Sequence, residues 1–341
     1  MNSVQLSICI ATFNRGAYIG ETLDSILCQL GSNVEIVVVD GCSPDNTSEV
    51  MFEYGSRYPQ ISYYREKVNS GVDGDYDKAV SYAQGEYCWL MTDDDLLCPG
   101  AIETVLSEIS NPVDLLVVDA EIRNADFSRL LEKSRLGYKT NRQYGKNQQE
   151  QWFSDLADHL SFIGCVIIRR ECWLGRNRAE YYGTVFIHIG VVFQHPPLET
   201  VRVVSEPLVV IRYGNAMWTS RAFDIWMFKW PELIWGFPDY SDEAKQSICQ
   251  REPWKKAKTL FEYRAKGAYS ISEFRKYFNK EKSSLLRCLL YVIAVFPSRL
   301  ANFLSVIYVL KNRSRLLTIY ELSLSKNASL LSRYYCRITD R

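Results

Sequence analysis

Residues 87–99 read Tyr-Cys-Trp-Leu-Met-Thr-Asp-Asp-Asp-Leu-Leu-Cys-Pro, and the fold can be inferred outward from this stretch. Its apolar start predicts a buried strand. The strand ends in three consecutive carboxylates, Asp93, Asp94 and Asp95, which repel one another unless a cation or hydrogen-bond donors compensate their charge. Such hard oxygen ligands suit Mg²⁺ or Mn²⁺, which bind one or two carboxylates together with substrate phosphates. The alternative is an acidic turn that caps the following helix.

Strand and helix patterns alternate on both sides of this stretch. Short β-rich runs predict strands, and apolar residues at helical spacing predict the helices between them. The predicted strands cover residues 6–11, 35–40, 61–65, 86–91, 114–121, 162–169 and 205–213, and the early helices cover 18–30, 48–58, 72–84 and 102–109. This order predicts an α/β protein with a mainly parallel central sheet flanked by helices.

Three polar clusters follow predicted strands directly. They are residues 12–15, Asp40 and the triplet 93–95. The carboxyl ends of parallel strands meet at one edge of a sheet, and ligands bind in the crevice beside that edge. The sequence therefore predicts a combined nucleotide and metal site there.

The composition limits the class of protein. The chain has 341 residues, enough for one large domain or two, and we expect a catalytic domain over residues 1–215 and a helical region over residues 216–341. Ten scattered cysteines without a CxxC pair are typical of reduced thiols in a cytosolic protein. The chain enters a predicted strand close to its start, so we expect no signal peptide.

The zero net charge hides an asymmetry. Residues 251–341 hold 19 Lys and Arg against 6 Asp and Glu, whereas residues 1–250 hold 21 against 34. Such a basic region can face an anionic surface. Residues 288–296 and 301–310 are apolar and have basic flanks that include Arg313 and Arg315, but each is too short to span a membrane. They predict interfacial membrane segments rather than nucleic-acid binding, or alternatively a helical bundle that could join copies of the chain.

Four motifs carry a family resemblance. They are residues 7–15 (Ser-Ile-Cys-Ile-Ala-Thr-Phe-Asn-Arg), 37–47 (Val-Val-Val-Asp-Gly-Cys-Ser-Pro-Asp-Asn-Thr), 69–87 (from Asn-Ser-Gly to Gly-Glu-Tyr) and 92–95 (Thr-Asp-Asp-Asp). In order and spacing they resemble the motifs of family 2 glycosyltransferases with the GT-A fold, over about residues 4–120. Residues 86–90 and 212–215 are further similar to bacterial O-antigen transferases of the abequosyltransferase type.

The resemblance implies a Rossmann-like domain that transfers a sugar from a nucleoside diphosphate donor, with Mn²⁺ or Mg²⁺ neutralising the leaving group. It implies that Asp40 binds the base, that Asp93 binds the ribose, and that the metal is held by Asp93, Asp94 and Asp95, of which Asp94 and Asp95 are the preferred ligands, with Asp94 also catalytic. The other donor-binding residues it implies are Thr12, Asn14, Arg15, Asp77, Lys78 and Arg212. Arg15 and Arg212 would reach the diphosphate; their alternatives are a surface arginine and a structural salt bridge.

The resemblance also implies a saccharide acceptor, which we expect to be carried on a polyprenyl diphosphate lipid. The enzyme would then be peripheral on the cytoplasmic face of the bacterial inner membrane and would serve O-antigen or other surface polysaccharide synthesis. Four tryptophans follow the resembling stretch, and they predict either sugar stacking or, in preference, core packing. These are Trp218, Trp226, Trp230 and Trp235.

Residues 181–190 depart from the family pattern. Inverting members carry a Glu-Asp pair on a helix at the comparable place, whereas this stretch has no acidic pair and only Glu180 precedes it. His188 could replace the base or act as a third metal ligand, although a lone histidine in an apolar stretch is also typical of a protein core. The departure leaves open whether the enzyme inverts or retains the anomeric configuration.

Two other functions fit part of the pattern. A nucleotidyltransferase also uses paired acids, but it would need a Gly-rich, basic phosphate loop, which residues 11–16 do not provide. An inactive sugar-binding or lipid-binding scaffold would explain the missing acidic pair. The intact triplet argues against the scaffold, because unused like charges cost stability.

Overall fold

The computed structural model describes residues 4–215, 221–311 and 316–338. These residues form two compact units. The first contains residues 4–122, 133–212 and 236–248, and the second contains residues 123–132, 213–235 and 249–338 of the described chain. We expected a single division at residues 215/216. The observed units do not follow it, because residues 123–132 belong to the second unit and residues 236–248 belong to the first. The assignment of separate roles to the two regions stays a prediction.

The strands lie close to the predicted positions. They are β1 (Leu6–Thr12), β2 (Val34–Asp40), β3 (Ile61–Arg65), β4 (Tyr87–Met91), β5 (Leu96–Leu97), β6 (Leu115–Asn124), β7 (Leu130–Glu132), β8 (Arg142–Tyr144), β9 (Val166–Arg169) and β10 (Val201–Tyr213). The sheet order is β3-β2-β1-β4-β9-β6-β10-β5. The pairs β2–β3, β1–β2 and β1–β4 are parallel, but β4–β9, β6–β9 and β5–β10 are antiparallel. The sheet is therefore mixed, and the mainly parallel arrangement holds only for its first four strands.

The helices are α1 (Ile19–Leu27), α2 (Thr47–Arg57), α3 (Val72–Tyr82), α4 (Ala101–Ile109), α5 (Gln149–Leu160), α6 (Arg170–Leu174), α7 (Ile187–Phe193), α8 (Ala222–Asp224), α9 (Trp230–Gly236), α10 (Asp242–Ile248), α11 (Ala257–Lys266), α12 (Ile271–Glu273), α13 (Ser284–Val295), α14 (Ser298–Lys311), α15 (Leu316–Leu324) and α16 (Leu330–Ile338). The early helices confirm the βαβ pattern. In α1 the residues at helical spacing, Ile19, Leu23 and Ile26, are buried as the sequence predicts.

The core of the first unit lies along its parallel strands. Every residue of β1 and β4 is buried, which is typical of parallel strands covered on both faces. Close packing at the start of β4 requires a glycine, because a Cβ on Gly85 would stand 2.6 Å from Oγ and 2.7 Å from the backbone nitrogen of Ser7. The carboxyl ends of these strands are thereby held side by side.

The second unit is mainly helical and has cores of its own. One of them packs aromatic residues from α8 to α13, including Phe223, Tyr269 and Phe278. Trp226 packs partly buried against it, and Trp230 is buried, which confirms core packing for these two tryptophans; Trp218 lies outside the described residues. No single helix in the described ranges is long and apolar enough to cross a membrane, although α13 and α14 together, bent by 94° at the break between them, have the length and composition of a broken span.

Candidate active site

The ends of β1 and β2 form one side of the candidate site. Thr12 and Asp40 are neighbours in the parallel register, and both are buried. The Asp40 carboxylate accepts hydrogen bonds from the backbone N–H and hydroxyl of Ser43, at 2.8 and 2.6 Å, and from the hydroxyl of Tyr63 at 2.6 Å. Its exposure is zero. Asp40 therefore shapes the loop after β2 in this conformation, and direct base binding by Asp40 stays a prediction that its burial does not support.

The loop after β1 is fixed on the loop after β2. Asn14 has a left-handed backbone, with a φ of 59°, and its N–H donates to the hydroxyl of Ser43 at 2.9 Å. The N–H of Arg15 donates to Oγ1 of Thr47 at 3.0 Å. These bonds set the direction in which the Arg15 side chain leaves the backbone.

Arg15 reaches two members of the carboxylate triplet. Its guanidinium lies 3.5 Å from Oδ1 of Asp93 and 3.3 Å from Oδ2 of Asp94. The Arg15 side chain is only 9% exposed, and those of Asp93 and Asp94 are 14% and 13% exposed. The predicted grouping of Arg15 with the triplet at one edge of the sheet is therefore present.

The third carboxylate, Asp95, has a structural position. It is buried, and it accepts hydrogen bonds from the Thr92 hydroxyl and, at 2.6 Å, from the backbone N–H of Arg212. Asp95 thus fastens β10 to the end of β4. As a metal ligand it would have to exchange these bonds, so the geometry favours Asp93 and Asp94 over the preferred pair of Asp94 and Asp95.

Arg212 completes this side of the site. Its Nε donates to the carbonyl oxygen of Asp94 at 2.9 Å, and its guanidinium forms an ion pair with Glu21. The guanidinium carbons of Arg15 and Arg212 lie 5.6 and 5.1 Å from the ring centroid of Tyr18, so one ring contacts both cations. Tyr18 and Glu21 gave no signal in the sequence, because only the folded chain brings them to Arg212.

The three carboxylates of residues 93–95 carry more negative charge than Arg15 and Arg212 neutralise. Burial and the neighbouring Asp94 raise the pKa of Asp93 to about 7. Burial, with Asp94 second, also raises the pKa of Asp95 well above its usual range. A divalent cation would relieve this repulsion.

The carboxylates of Asp93 and Asp94 fit Mg²⁺ or Mn²⁺ as part of the coordination sphere of the ion. No group of three or more His, Cys, Asp or Glu side chains in the described part of the chain is arranged to hold a metal. These ions usually take one or two protein carboxylates and complete their coordination with substrate phosphates and water. Asp93 and Asp94 could supply such a pair if a bound diphosphate supplied the rest.

Asp77 and Lys78 on α3 make hydrogen bonds and ion pairs within the protein. Asp77 accepts a hydrogen bond from Trp173 at 2.9 Å, forms an ion pair with Arg178 at 2.7 Å and binds the hydroxyl of Tyr182. Nζ of Lys78 lies 2.6 Å from the carboxylate of Glu66. Both side chains are thus engaged within the protein, and their predicted contacts with the donor have no support in this geometry.

His188 lies in the core on α7. It is 2% exposed, and its Nε2 lies 2.9 Å from the carbonyl oxygen of Leu160. Burial lowers the pKa of His188 to about 4, so the imidazole is neutral near pH 7. This position supports the core alternative, and a role as base or third metal ligand stays a prediction without geometric support.

A carboxylate that sequence reasoning did not select, Asp73, fixes the segment that departs from the family pattern. Its oxygens accept hydrogen bonds from the backbone N–H groups of Gly183, Val185 and Ile187, at 2.8, 2.9 and 3.0 Å. Asp73 is 4% exposed. It therefore binds the start of α7 and the preceding turn, in which Val185 has a φ of 67°.

Comparisons with known proteins agree with this fold. The structure of residues 1–349 of Staphylococcus aureus TarS with UDP aligns with a TM-score of 0.53 at 16% identity, over 98% of this chain and 91% of that fragment. The mannosyltransferase PcManGT of Pyrobaculum calidifontis, with GDP-Man and Mn²⁺, aligns with a TM-score of 0.51 at 16% identity, over 87% and 88% of the two chains. At these identities the alignments establish the fold, which is that of the GT-A glycosyltransferases.

The family follows from the sequence. Residues 7–172 match the model of glycosyl transferase family 2, so the chain carries a domain of that family and is a glycosyltransferase. The abequosyltransferase RfbV of Salmonella typhimurium is 27% identical over 62% of this chain and 67% of its own length. The minor teichoic acid biosynthesis protein GgaB of Bacillus subtilis is 31% identical, over 33% of this chain and only 13% of its own length. The predicted family and fold class are confirmed.

Proposed function

We propose that this glycosyltransferase moves a sugar from a nucleoside diphosphate donor to a saccharide acceptor on a polyprenyl diphosphate lipid, in the synthesis of an O-antigen or a related surface polysaccharide. The observation that carries the donor part is the convergence of Arg15 with Asp93 and Asp94 at the carboxyl ends of β1 and β4. The relatives named for abequose transfer and teichoic acid biosynthesis support a role in the synthesis of a surface polymer.

Each group at the site has a role in this proposal. Arg15 and Arg212 attract and orient the diphosphate, and Tyr18 holds the two guanidiniums in place. Asp93 and Asp94 would hold Mn²⁺ or Mg²⁺, which when bound supplies Lewis-acid stabilisation of the leaving diphosphate. Burial of these side chains strengthens their electrostatic interactions, because little water screens them.

A thermal-shift panel tests the donor proposal. UDP, GDP, CDP and dTDP are each added with and without Mn²⁺, and we expect one nucleotide to raise the melting temperature only when Mn²⁺ is present. A ligand at 100 times its Kd stabilises the native state by about 2.7 kcal/mol, which is readily detected. No shift with any nucleotide would contradict the proposal and favour an inactive sugar-binding or lipid-binding scaffold.

We further propose that the second unit binds the cytoplasmic surface of the inner membrane. Its helices α13 and α14 expose apolar side chains at helical spacing, among them Leu285 (83% exposed), Val292 and Leu304. Arg287 and Arg299 lie among them and are exposed. Apolar helix faces with basic neighbours suit an anionic lipid surface, which also presents a lipid-linked acceptor.

Vesicle flotation tests the membrane proposal. The wild-type chain is expected to bind vesicles of equal phosphatidylglycerol and phosphatidylcholine, and Leu285→Asp and Leu304→Asp are each expected to weaken binding by about tenfold, since each removes the burial of one leucine. Phe52→Asp is the control, because Phe52 is 79% exposed but lies on α2 in the first unit. Equal losses in all three variants, or dimerisation through these faces without vesicle binding, would contradict the proposal.

A further inference from the structure

A groove of about 340 Å³ opens on the surface of the second unit, beside the start of α13. Its lining residues are Phe274, Asn279, Ser284, Arg287, Cys288 and Tyr291. Phe274 and Tyr291 form its apolar wall, since Phe274 is buried and the two ring centroids are 5.4 Å apart. None of these lining residues is an aspartate or a glutamate. The groove is therefore open to solvent and carries no negative charge of its own.

The polar side chains of the groove are available to a ligand. Among the residues that the structure describes, the side chains of Asn279, Ser284 and Arg287 have no hydrogen-bond or ion-pair partner. The adjacent Ser283 differs, because its hydroxyl caps α13 by accepting from the N–H of Leu286 at 3.3 Å. An amide, a hydroxyl and a guanidinium can all donate hydrogen bonds. A matching ligand is an anion with several acceptor oxygens.

The surrounding charge favours an anion as well. Residues 274–291 hold five Lys and Arg against one Glu. The guanidinium of Arg287 is planar, and it matches the oxygens of a phosphate with two parallel hydrogen bonds. Phosphate is therefore the chemical group that suits this groove best.

The groove lies beside the exposed apolar face of α13. Leu285, Leu289 and Val292 follow one another at helical spacing, and all three are exposed. At about 100° per residue, Ser284, Arg287 and the other groove residues of α13 project about a third of a turn away from this face. When the apolar face of a helix is buried in a membrane interface, a side face of this kind lies level with the lipid headgroups.

We infer that this groove binds the phosphodiester of an anionic phospholipid headgroup such as phosphatidylglycerol. The inference rests on the proposed membrane binding of the second unit and names the lipid group that this unit recognises. Arg287 donates to two phosphate oxygens, and Ser284 and Asn279 donate to the others. The groove disfavours phosphatidylcholine, because no carboxylate among its lining residues neutralises a choline cation beside Arg287.

Flotation of the full chain with two sets of vesicles tests this assignment. One set contains equal phosphatidylglycerol and phosphatidylcholine, and the other replaces phosphatidylglycerol by dioleoylglycerol succinate at the same surface charge, so that carboxylates replace the charged phosphates. Wild type is expected to bind the phosphatidylglycerol vesicles about fivefold more tightly. Arg287→Lys keeps the positive charge but loses the planar fork, and it is expected to bind both sets equally.

The matched control is Arg299→Lys. Arg299 is also an exposed arginine, but it lies on α14 and does not line the groove, so its substitution is expected to leave the fivefold preference unchanged. Melting temperatures equal to that of wild type show that both variants are folded. Equal binding of wild type to the two sets, or a preference that persists in Arg287→Lys, overturns the inference and leaves the proposed membrane binding intact. A wild-type chain that floats with neither set overturns the membrane binding itself.

Discussion

Replacing Asp94 by asparagine is expected to lower sugar transfer by about 100-fold or more, because it removes a carboxylate that would hold the divalent cation, and the cation is what stabilises the charge growing on the leaving diphosphate. Asparagine keeps the size of the side chain and the backbone carbonyl that accepts from Arg212. The Mn²⁺-dependent part of the nucleotide thermal shift is expected to disappear with the activity. Both quantities are measured on the same preparation.

The control for Asp94→Asn is Asp158→Asn. Asp158 is an exposed aspartate on α5 of the same unit, and its substitution is expected to change neither turnover nor the thermal shift. Normal turnover in Asp94→Asn, with a normal Mn²⁺ dependence, would show that the metal binds elsewhere or is not needed.

Replacing Asp73 by alanine is expected to destabilise the protein strongly. The substitution leaves three backbone N–H groups, on Gly183, Val185 and Ile187, without their charged acceptor. Losing such bonds is expected to lower the free energy of unfolding by about 3 kcal/mol. For a unit of this size each kcal/mol lowers the melting temperature by about 2–4 °C, which differential scanning calorimetry resolves.

Asp73→Asn separates this role from a general loss of packing. Its remaining carbonyl oxygen can still accept from part of the turn, so we expect a loss clearly smaller than that of Asp73→Ala. Equal melting temperatures for Asp73→Ala and the wild type would mean that residues 183–187 keep their conformation without the carboxylate.

Local patterns in the sequence were sufficient to predict the first half of the fold. Buried apolar runs, each followed by a loop and a helix, specify β1 to β4 and their parallel pairing. The antiparallel direction of β9 could not be predicted in this way, because hydrophobic spacing identifies a strand without giving its direction. The sequence therefore did not predict that the sheet is mixed.

The residues of the site that directly follow a predicted strand could be predicted from the sequence. Arg15 and the triplet stand at strand ends, and strand ends of a parallel sheet converge. The partners of individual side chains depend instead on contacts between distant parts of the chain. Arg212 and Glu21 are 191 residues apart in sequence, and the burial of Asp40 depends on Tyr63 on another strand.

His188 illustrates the same limit from the opposite side. Its apolar neighbours fit both a catalytic histidine in a pocket and a histidine in the core. Only the bond to Leu160, from another helix, distinguishes the two. Asp73 likewise resembled any acidic residue in the first turn of a helix, until its three backbone donors were visible.

Electron paramagnetic resonance of Mn²⁺ tests the central claim most directly, because it reports the free ion without requiring an acceptor. The chain is titrated with Mn²⁺ in the presence and absence of the nucleotide that the thermal-shift panel selects. We predict that about one Mn²⁺ per chain loses its free-ion signal only when the nucleotide is present, and that Asp94→Asn abolishes this loss. Nucleotide binding that is equally tight in wild type and Asp94→Asn, and unchanged by a chelator, would contradict a metal–nucleotide site at the end of β4.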